Sequence, residues 1–222
     1  MSDITQKLPL FPLGSVLFPG ATINLHIFED RYRLMIGRCL EENTPFGVLL
    51  IREGEEVEEG RADPRPAEPF MTGTTAEISA SVKLDDGRIL LTAVGGQRFR
   101  VEQLVQRVPY LIGAITTLPD QLGPRTAVAA RDLRVTYERY WQGIAAATGS
   151  QVEVEELPQD VTAMTYQLAD RLQVNSQRKQ RWLEVEVATR LREMTDVLRT
   201  ELALLPRPGT SRDAGEWSGS LN

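Results

Sequence analysis

Apolar and polar residues alternate with a period of two through residues 77–84, where Ile78, Ala80, Val82 and Leu84 are interleaved with Glu77, Ser79, Ser81 and Lys83. A strand turns successive side chains to opposite faces, so this pattern predicts a strand with one buried face. Asp85-Asp86-Gly87 follows with residue types that turns favour, and residues 88–94 return as the partner strand. Gly95-Gly96 reads as a strand-to-strand turn. Residues 97–104 then form a third strand with Phe99 inward and Arg98 and Arg100 outward. Residues 110–118 give a fourth, and residues 8–13, 22–27 and 46–52 add shorter ones. Pro9-Leu10-Phe11-Pro12 has the spacing of a polyproline ligand, but its apolar flanks make it an edge strand leading into the sheet. Short strands divided by Gly and Pro favour a closed or nearly closed barrel over a parallel sheet.

A helical period replaces this pattern at residues 29–43, where Phe28, Tyr32, Met35, Ile36, Cys39 and Leu40 share one stripe. Glu29 and Asp30 stand at its start, where the helix dipole favours anions. The second half is helical throughout. Pro124 opens a helix that Gly149 ends, with Ala130, Leu133, Tyr137, Tyr140, Trp141 and Ile144 on one face. Asp160 caps a second helix carrying Val161, Met164, Leu168 and Leu172, and Ser176 caps a third through Trp182 and Leu183. A fourth carries Val187, Leu191, Met194, Leu198, Leu202 and Leu205. One-sided helices need partners, so the expected fold class is α+β. The expected domains are a barrel over 1–119 with one inserted helix, a helical bundle over 120–205, and a flexible tail rich in Gly, Ser and Pro over 206–222.

Composition removes most chemistries. Among 222 residues there is one His (His26) and one Cys (Cys39), so neither a Cys/His zinc cage nor a disulfide framework can be built within one chain. A Ser-His-Asp triad has only His26 to use, and no G-x-S-x-G elbow occurs. A Cys39–His26 dyad requires a thiolate, yet the helical stripe places Cys39 in the core. A Ser–Lys dyad has only Lys7, Lys83 and Lys179 to draw on, and none looks desolvated enough to lose its proton. The phosphate-cradling G-x-x-x-x-G-K-[ST] is absent. The run Glu53, Glu55, Glu56, Glu58 and Glu59 lacks calcium-loop spacing and reads as a solvated loop. No catalytic residue, cofactor or metal is expected.

Residues 8–25 are uncharged after Lys7, but Pro9, Pro12 and Pro19 break the apolar helix that a signal peptide needs. The expected location is a reducing cytoplasm, which suits a lone thiol, with no membrane partner. The net charge of −6 is spread along the chain, with 12 basic against 16 acidic residues in 1–119 and 13 against 15 in 120–222. Neither half has the basic excess that phosphate binding uses.

The opening run, Leu8-Pro-Leu-Phe-Pro-Leu-Gly-Ser-Val-Leu-Phe-Pro-Gly20, is followed by Leu25-His-Ile-Phe-Glu29 and Arg31-Tyr-Arg33. Phe46-Gly-Val-Leu-Leu-Ile51, Gly87-Arg88, Gly96-Gln-Arg-Phe-Arg-Val101 and Pro109-Tyr110 come next, then Leu168-Ala-Asp-Arg-Leu172, Lys179-Gln180 and Trp182-Leu-Glu184. In this order they resemble the N-terminal domain of Lon proteases over about residues 8–205. The resemblance implies a PUA-like pseudo-barrel followed by a helical bundle, used for substrate recognition and assembly. The family's ATPase and Ser–Lys peptidase modules lie outside the matched region, so no catalytic residue transfers and a stand-alone, non-enzymatic member is expected.

The leading expectation is a protein-binding module, an adaptor in protein quality control. Its partners would be unfolded or apolar protein segments, or a protease or chaperone, held at an apolar groove or a free strand edge. Phe18, Pro19, His26, Phe28 and Arg31 are the candidate rim. The structural alternative has Phe18 and Phe28 plugging the barrel ends and Arg31 bonding a turn carbonyl. An RNA-binding PUA-like barrel is the runner-up, opposed by the charge. A carboxylate hydrolase has nothing beyond abundant acids to support it. The sequence leaves the oligomeric state open.

Overall fold

The computed structural model describes residues 6–54, 68–150 and 153–206. Six strands and five helices follow in the order β1 (Gln6–Leu13), β2 (Thr22–Ile27), α1 (Asp30–Glu42), β3 (Phe46–Glu53), β4 (Glu68–Lys83), β5 (Ile89–Gln106), β6 (Leu111–Thr117), α2 (Thr126–Thr148), α3 (Val161–Arg171), α4 (Ser176–Glu184) and α5 (Val187–Leu204). The class is α+β. Strands run in the order β2-β5-β4-β3-β1-β6, and a further β5–β6 pairing closes five of them into a barrel. Only β1 and β3 pair in parallel; every other pair is antiparallel. Of the acidic run, only Glu53 falls among the described residues, and the tail expected over 206–222 lies outside them beyond Pro206.

Three strand expectations change. Gly95-Gly96 is no turn: β5 continues through it for 18 residues, with a register shift against β4 between Gly95 and Arg98. A side chain at Gly95 would strike the Phe18 carbonyl oxygen, so glycine lets the 14–21 segment cross the strand there. β1 is no edge strand, since Gln6–Leu10 pairs with β6 and Leu10–Leu13 with β3. The alternation at 77–84 does not bury one continuous face either. A register shift between Ile78 and Ala80 moves the later apolar residues to the opposite side, leaving Val82 58% exposed. One extra residue in a period-two pattern exchanges the two faces.

Among the described residues, two clusters of buried side chains lie among the strands and α1. Phe11, Leu13, Leu17, Ile27, Phe46, Val48, Leu91, Ala93 and Tyr110 join Tyr32, Met35, Ile36 and Cys39 of α1. Leu8, Leu10, Leu49, Phe99, Val101 and Ile115 form the second. The α1 stripe is narrower than its period suggested, because Phe28 and Leu40 remain exposed. Asn43 ends α1 in the left-handed region at φ 50°, which Asn tolerates better than most residues.

The chain divides into two compact units that do not follow its order. One takes the chain up to Gly123 together with Pro158–Arg190; the other takes Pro124–Leu157 and the chain from Leu191 onward. The expected boundary at 119/120, with every later helix in one bundle, therefore differs from the observed division. α3 and α4 belong with the strands because they cover a strand face. Trp182 and Leu183 are buried, the Gln180 amide donates to the Thr72 carbonyl (3.0 Å), and Arg98 Nη1 donates to the Leu183 carbonyl (2.6 Å). Arg98 is thus buried rather than outward, while Arg100 is exposed as expected. Asp160 caps α3 by accepting from the Ala163 amide (2.7 Å), but α4 is capped by Asn175, which accepts from the Arg178 amide (2.8 Å). Ser176 is the first helical residue instead. In the second unit, α2 buries Ala129, Ala130, Leu133 and Tyr137, and Arg199 pairs with Asp132 at 2.8 Å.

Candidate functional site

β2 carries the sequence Thr-Ile-Asn-Leu-His-Ile and pairs with β5 residue for residue, from Thr22 opposite Val94 to Ile27 opposite Ile89, without a register shift. Among the described residues it has no strand on its other side. Period two sorts its side chains. Ile23, Leu25 and Ile27 pack toward the core cluster that includes Leu91 and Ala93. Thr22, Asn24 and His26 stand on the outer face in cross-strand rows. His26 lies opposite Leu90, which lies opposite Val82, and Asn24 lies opposite Thr92, which lies opposite Ala80. The Thr92 hydroxyl donates to the Asn24 side-chain oxygen at 2.9 Å. Leu90, Val82 and Val94 are exposed on this face.

β6 takes the place next to β5 that β2 holds further along, and it leaves β1 after Leu10. A cleft of about 210 Å³ lies where β1 has lost β6, lined by Phe11 and Leu13 of β1, residues 24–29 and Tyr32 of α1. A shallower groove on the outer face is lined by Asn24, His26, Ala80, Val82, Leu90 and Thr92. Charges nearby are paired locally: Glu29 with Arg31 at 2.9 Å, Asp30 with Arg33, and Asp86 with Arg88 at 2.6 Å. Chemically the cleft offers an apolar wall, the polar side chains of Asn24, His26, Glu29 and Tyr32, and a β2 edge that no strand pairs among the described residues.

The five candidate rim residues separate. His26 and Phe28 come together, with ring centroids 5.7 Å apart, both on the cleft and both exposed. His26 Nε2 lies 3.4 Å from Arg88 Nη1. Phe28 therefore does not plug the barrel. Phe18 does the structural work expected of the alternative: it is fully buried, with its ring 6.1 Å from that of Tyr166. Pro19 is half-buried in the segment between β1 and β2. Arg31 bonds the Glu29 carboxylate rather than a turn carbonyl and stacks 4.5 Å from the Tyr32 ring centre. Asn24, Leu25, Leu90 and Val82 were missed as site residues. For Asn24 and Leu25 the available signal was a six-residue strand with no charge and no proline, while Leu90 and Val82 join them only through strand pairing.

Residues 7–200 match the family described as the ATP-dependent protease La (LON) substrate-binding domain. The chain belongs to that family. Lon protease 2 of Myxococcus xanthus is 33% identical over 120 residues, covering 54% of this chain and 14% of the relative. The Lon protease of Brevibacillus choshinensis is 25% identical over 207 residues, covering 90% of this chain and 26% of the relative. The chain thus spans a minor part of these Lon proteases. A Lon N-terminal domain protein from Xanthomonas campestris superposes with a TM-score of 0.57 at 27% identity, covering 90% of this chain and 99% of that one. The N-terminal domain of the Mycobacterium avium complex Lon protease shares the fold, with a TM-score of 0.58 at 17% identity over 87% of this chain and 98% of that one.

Within this Lon-family fold His26 is on the cleft rim, while the three lysines and Cys39 do not line the cleft. Lys7 and Lys83 are exposed, and the Lys179 ammonium donates to the Asp170 carbonyl at 2.7 Å. Among the described residues no cluster of three metal-ligating side chains occurs, and no helix is long and apolar enough to cross a membrane. Cys39 is buried, and that burial raises its pKa above the ordinary thiol value, against a hydrogen bond with Thr44 that lowers it. A thiol-reactive dye at pH 8 should therefore label the native chain at least about tenfold more slowly than the urea-unfolded chain. Equal rates would place the thiol at the surface.

Proposed function

We propose that this Lon-family chain recognises protein substrates by binding alone and hands them to a protease or chaperone as an adaptor. Family membership supports substrate recognition. The open cleft at β2, with His26 and Phe28 on its rim, is the observation that carries the placement. Such a cleft gives affinity through apolar contact and main-chain hydrogen bonds, and both are available on unfolded chains and covered in folded ones. The proposal sets the chain in a reducing cytoplasm.

The test compares a globular protein in its native form with the same protein reduced and alkylated, each followed by fluorescence anisotropy against this chain. Binding of the unfolded form only, with no cleavage in the presence or absence of ATP, is the expected outcome. Phe28→Ala should weaken that binding about tenfold, the size of a moderate interface anchor, while leaving the unfolding transition in place. Phe18→Ala should act on stability instead. Equal affinity for the native and alkylated forms, or cleavage by the purified chain, would overturn the proposal.

A further inference from the structure

We infer that the β2 cleft takes one extended polypeptide segment, which adds as a further strand to the edge of β2 that no strand pairs among the described residues; this rests on the protein-recognition reading above. Three observations converge on that occupant. The first is the edge itself. Exposed strand edges are ordinarily blunted by charged side chains, proline, bulges or very short length. β2 has six residues, no charged side chain, no proline and an unbroken register, whereas β4 and β5 carry register shifts. An undefended row of main-chain donors and acceptors is complementary to another backbone in extended form.

The second is the shape. The cleft has walls on both sides, β2 with the start of α1 on one and Phe11 and Leu13 on the other. At about 210 Å³ it lies below the range of about 300–1,000 Å³ typical of small-molecule pockets. It admits only part of one extended chain, and the rest of the added strand lies along β2 outside the cleft. The third is the charge match. Glu29, Asp30 and Asp86 each have an arginine partner, so the slot is neutral overall. A charged side chain entering it would lose water without gaining a counter-ion. Inward residues of the segment are therefore uncharged and spaced two apart, with β-branched types favoured by the strand conformation.

The probe is a peptide of alternating Val and Thr, with a Lys at each end for solubility. It is compared with a copy N-methylated at every second residue, which removes the amides of one edge and keeps every side chain. Affinity is read by anisotropy and location by amide hydrogen exchange. The inference expects at least tenfold weaker binding of the methylated copy, and slowed exchange confined to β2 and residues 11–13. Equal affinity of the two peptides, or protection elsewhere, overturns strand addition while leaving the protein-recognition reading intact. Concentration-dependent dimers that the unmethylated peptide dissociates would identify a second copy as the occupant, and also overturn it. Failure of both peptides and of the alkylated protein to bind removes the recognition reading itself.

Discussion

Asp120→Asn should lower the stability of the folded chain by about 3–5 kcal/mol, read as a fall in the urea midpoint at pH 7. The carboxylate sits just beyond β6, where its Oδ1 meets two guanidinium groups, Arg98 at 2.9 Å and Arg190 at 3.3 Å. Its Oδ2 accepts from the Tyr166 hydroxyl at 2.6 Å. Arg190 is fully buried, and its remaining donors reach the Trp182 carbonyl (2.6 Å), the Val185 carbonyl (3.2 Å) and the Thr165 hydroxyl (3.0 Å). The same guanidinium lies 4.2 Å from the centre of the Tyr166 ring. Two buried cations therefore share one carboxylate. Desolvation already presses Arg190's pKa downward, and burial pushes that of the Tyr166 phenol far above its usual range, so the phenol stays a donor at physiological pH.

Removing the only anion of this group leaves two cations facing each other in low dielectric, which costs more than losing one hydrogen bond. Arg190→Met removes one cation instead and leaves Arg98 paired with Asp120. It should cost less than Asp120→Asn, although the carbonyls of Trp182 and Val185 lose a donor. If the arginine variant were the more damaging of the two, packing and hydrogen bonding rather than charge balance would govern the group. Because its side chains come from β5, α3 and α5, and α4 supplies the Trp182 carbonyl, the same group fixes α3 and α4 to the strands.

That group also shows where the sequence was readable. Tyr32, Met35, Ile36 and Cys39 were legible as a buried stripe because helical spacing depends on neighbours three and four residues apart. Asp160 was legible as a cap for the same local reason. Arg98 was not. Its side chain alternates correctly with Phe99, but which strand face another element covers is decided by residues such as Trp182 and Gln180, more than eighty positions away. The Gly95-Gly96 pair misled in a similar manner, since the Phe18 carbonyl that needs the space belongs to a distant segment. Likewise, the shift between Ile78 and Ala80 is a property of pairing with β5 and leaves no mark in the alternation itself. Of the candidate site, His26 and Phe28 were reachable because they lie together in the motif run Leu25-His-Ile-Phe-Glu29. The free edge they adorn depends on strand order, which no local pattern reports.

Gly73→Ala should destabilise the fold by about 3 kcal/mol or more, at the upper end of the usual cost of overfilling a packed interior. The barrel cluster of Leu8, Leu10, Leu49, Phe99, Val101 and Ile115 is packed over glycines of three strands. A Cβ at Gly47 would lie 2.6 Å from Phe99 Cζ and 2.8 Å from Leu8, and one at Gly113 would lie 2.8 Å from Leu10. These contacts end on side chains. At Gly73 the first obstacle is the backbone carbonyl oxygen of Val48, with Leu49 behind it and Phe99 Cζ at 3.0 Å. Gly73 pairs with Leu49 on one side and Phe99 on the other, so moving that carbonyl means parting β3 from β4. Interiors this dense transmit such a shift rather than absorb it. The expected order of cost is therefore Gly73→Ala above Gly47→Ala. Phe99→Leu, which withdraws the ring tip, should recover part of the Gly47 loss and little of the Gly73 loss. Thermal melts of the three single variants and the two double variants decide this, and equal rescue at both positions would show that the ring, not the carbonyl, sets the limit.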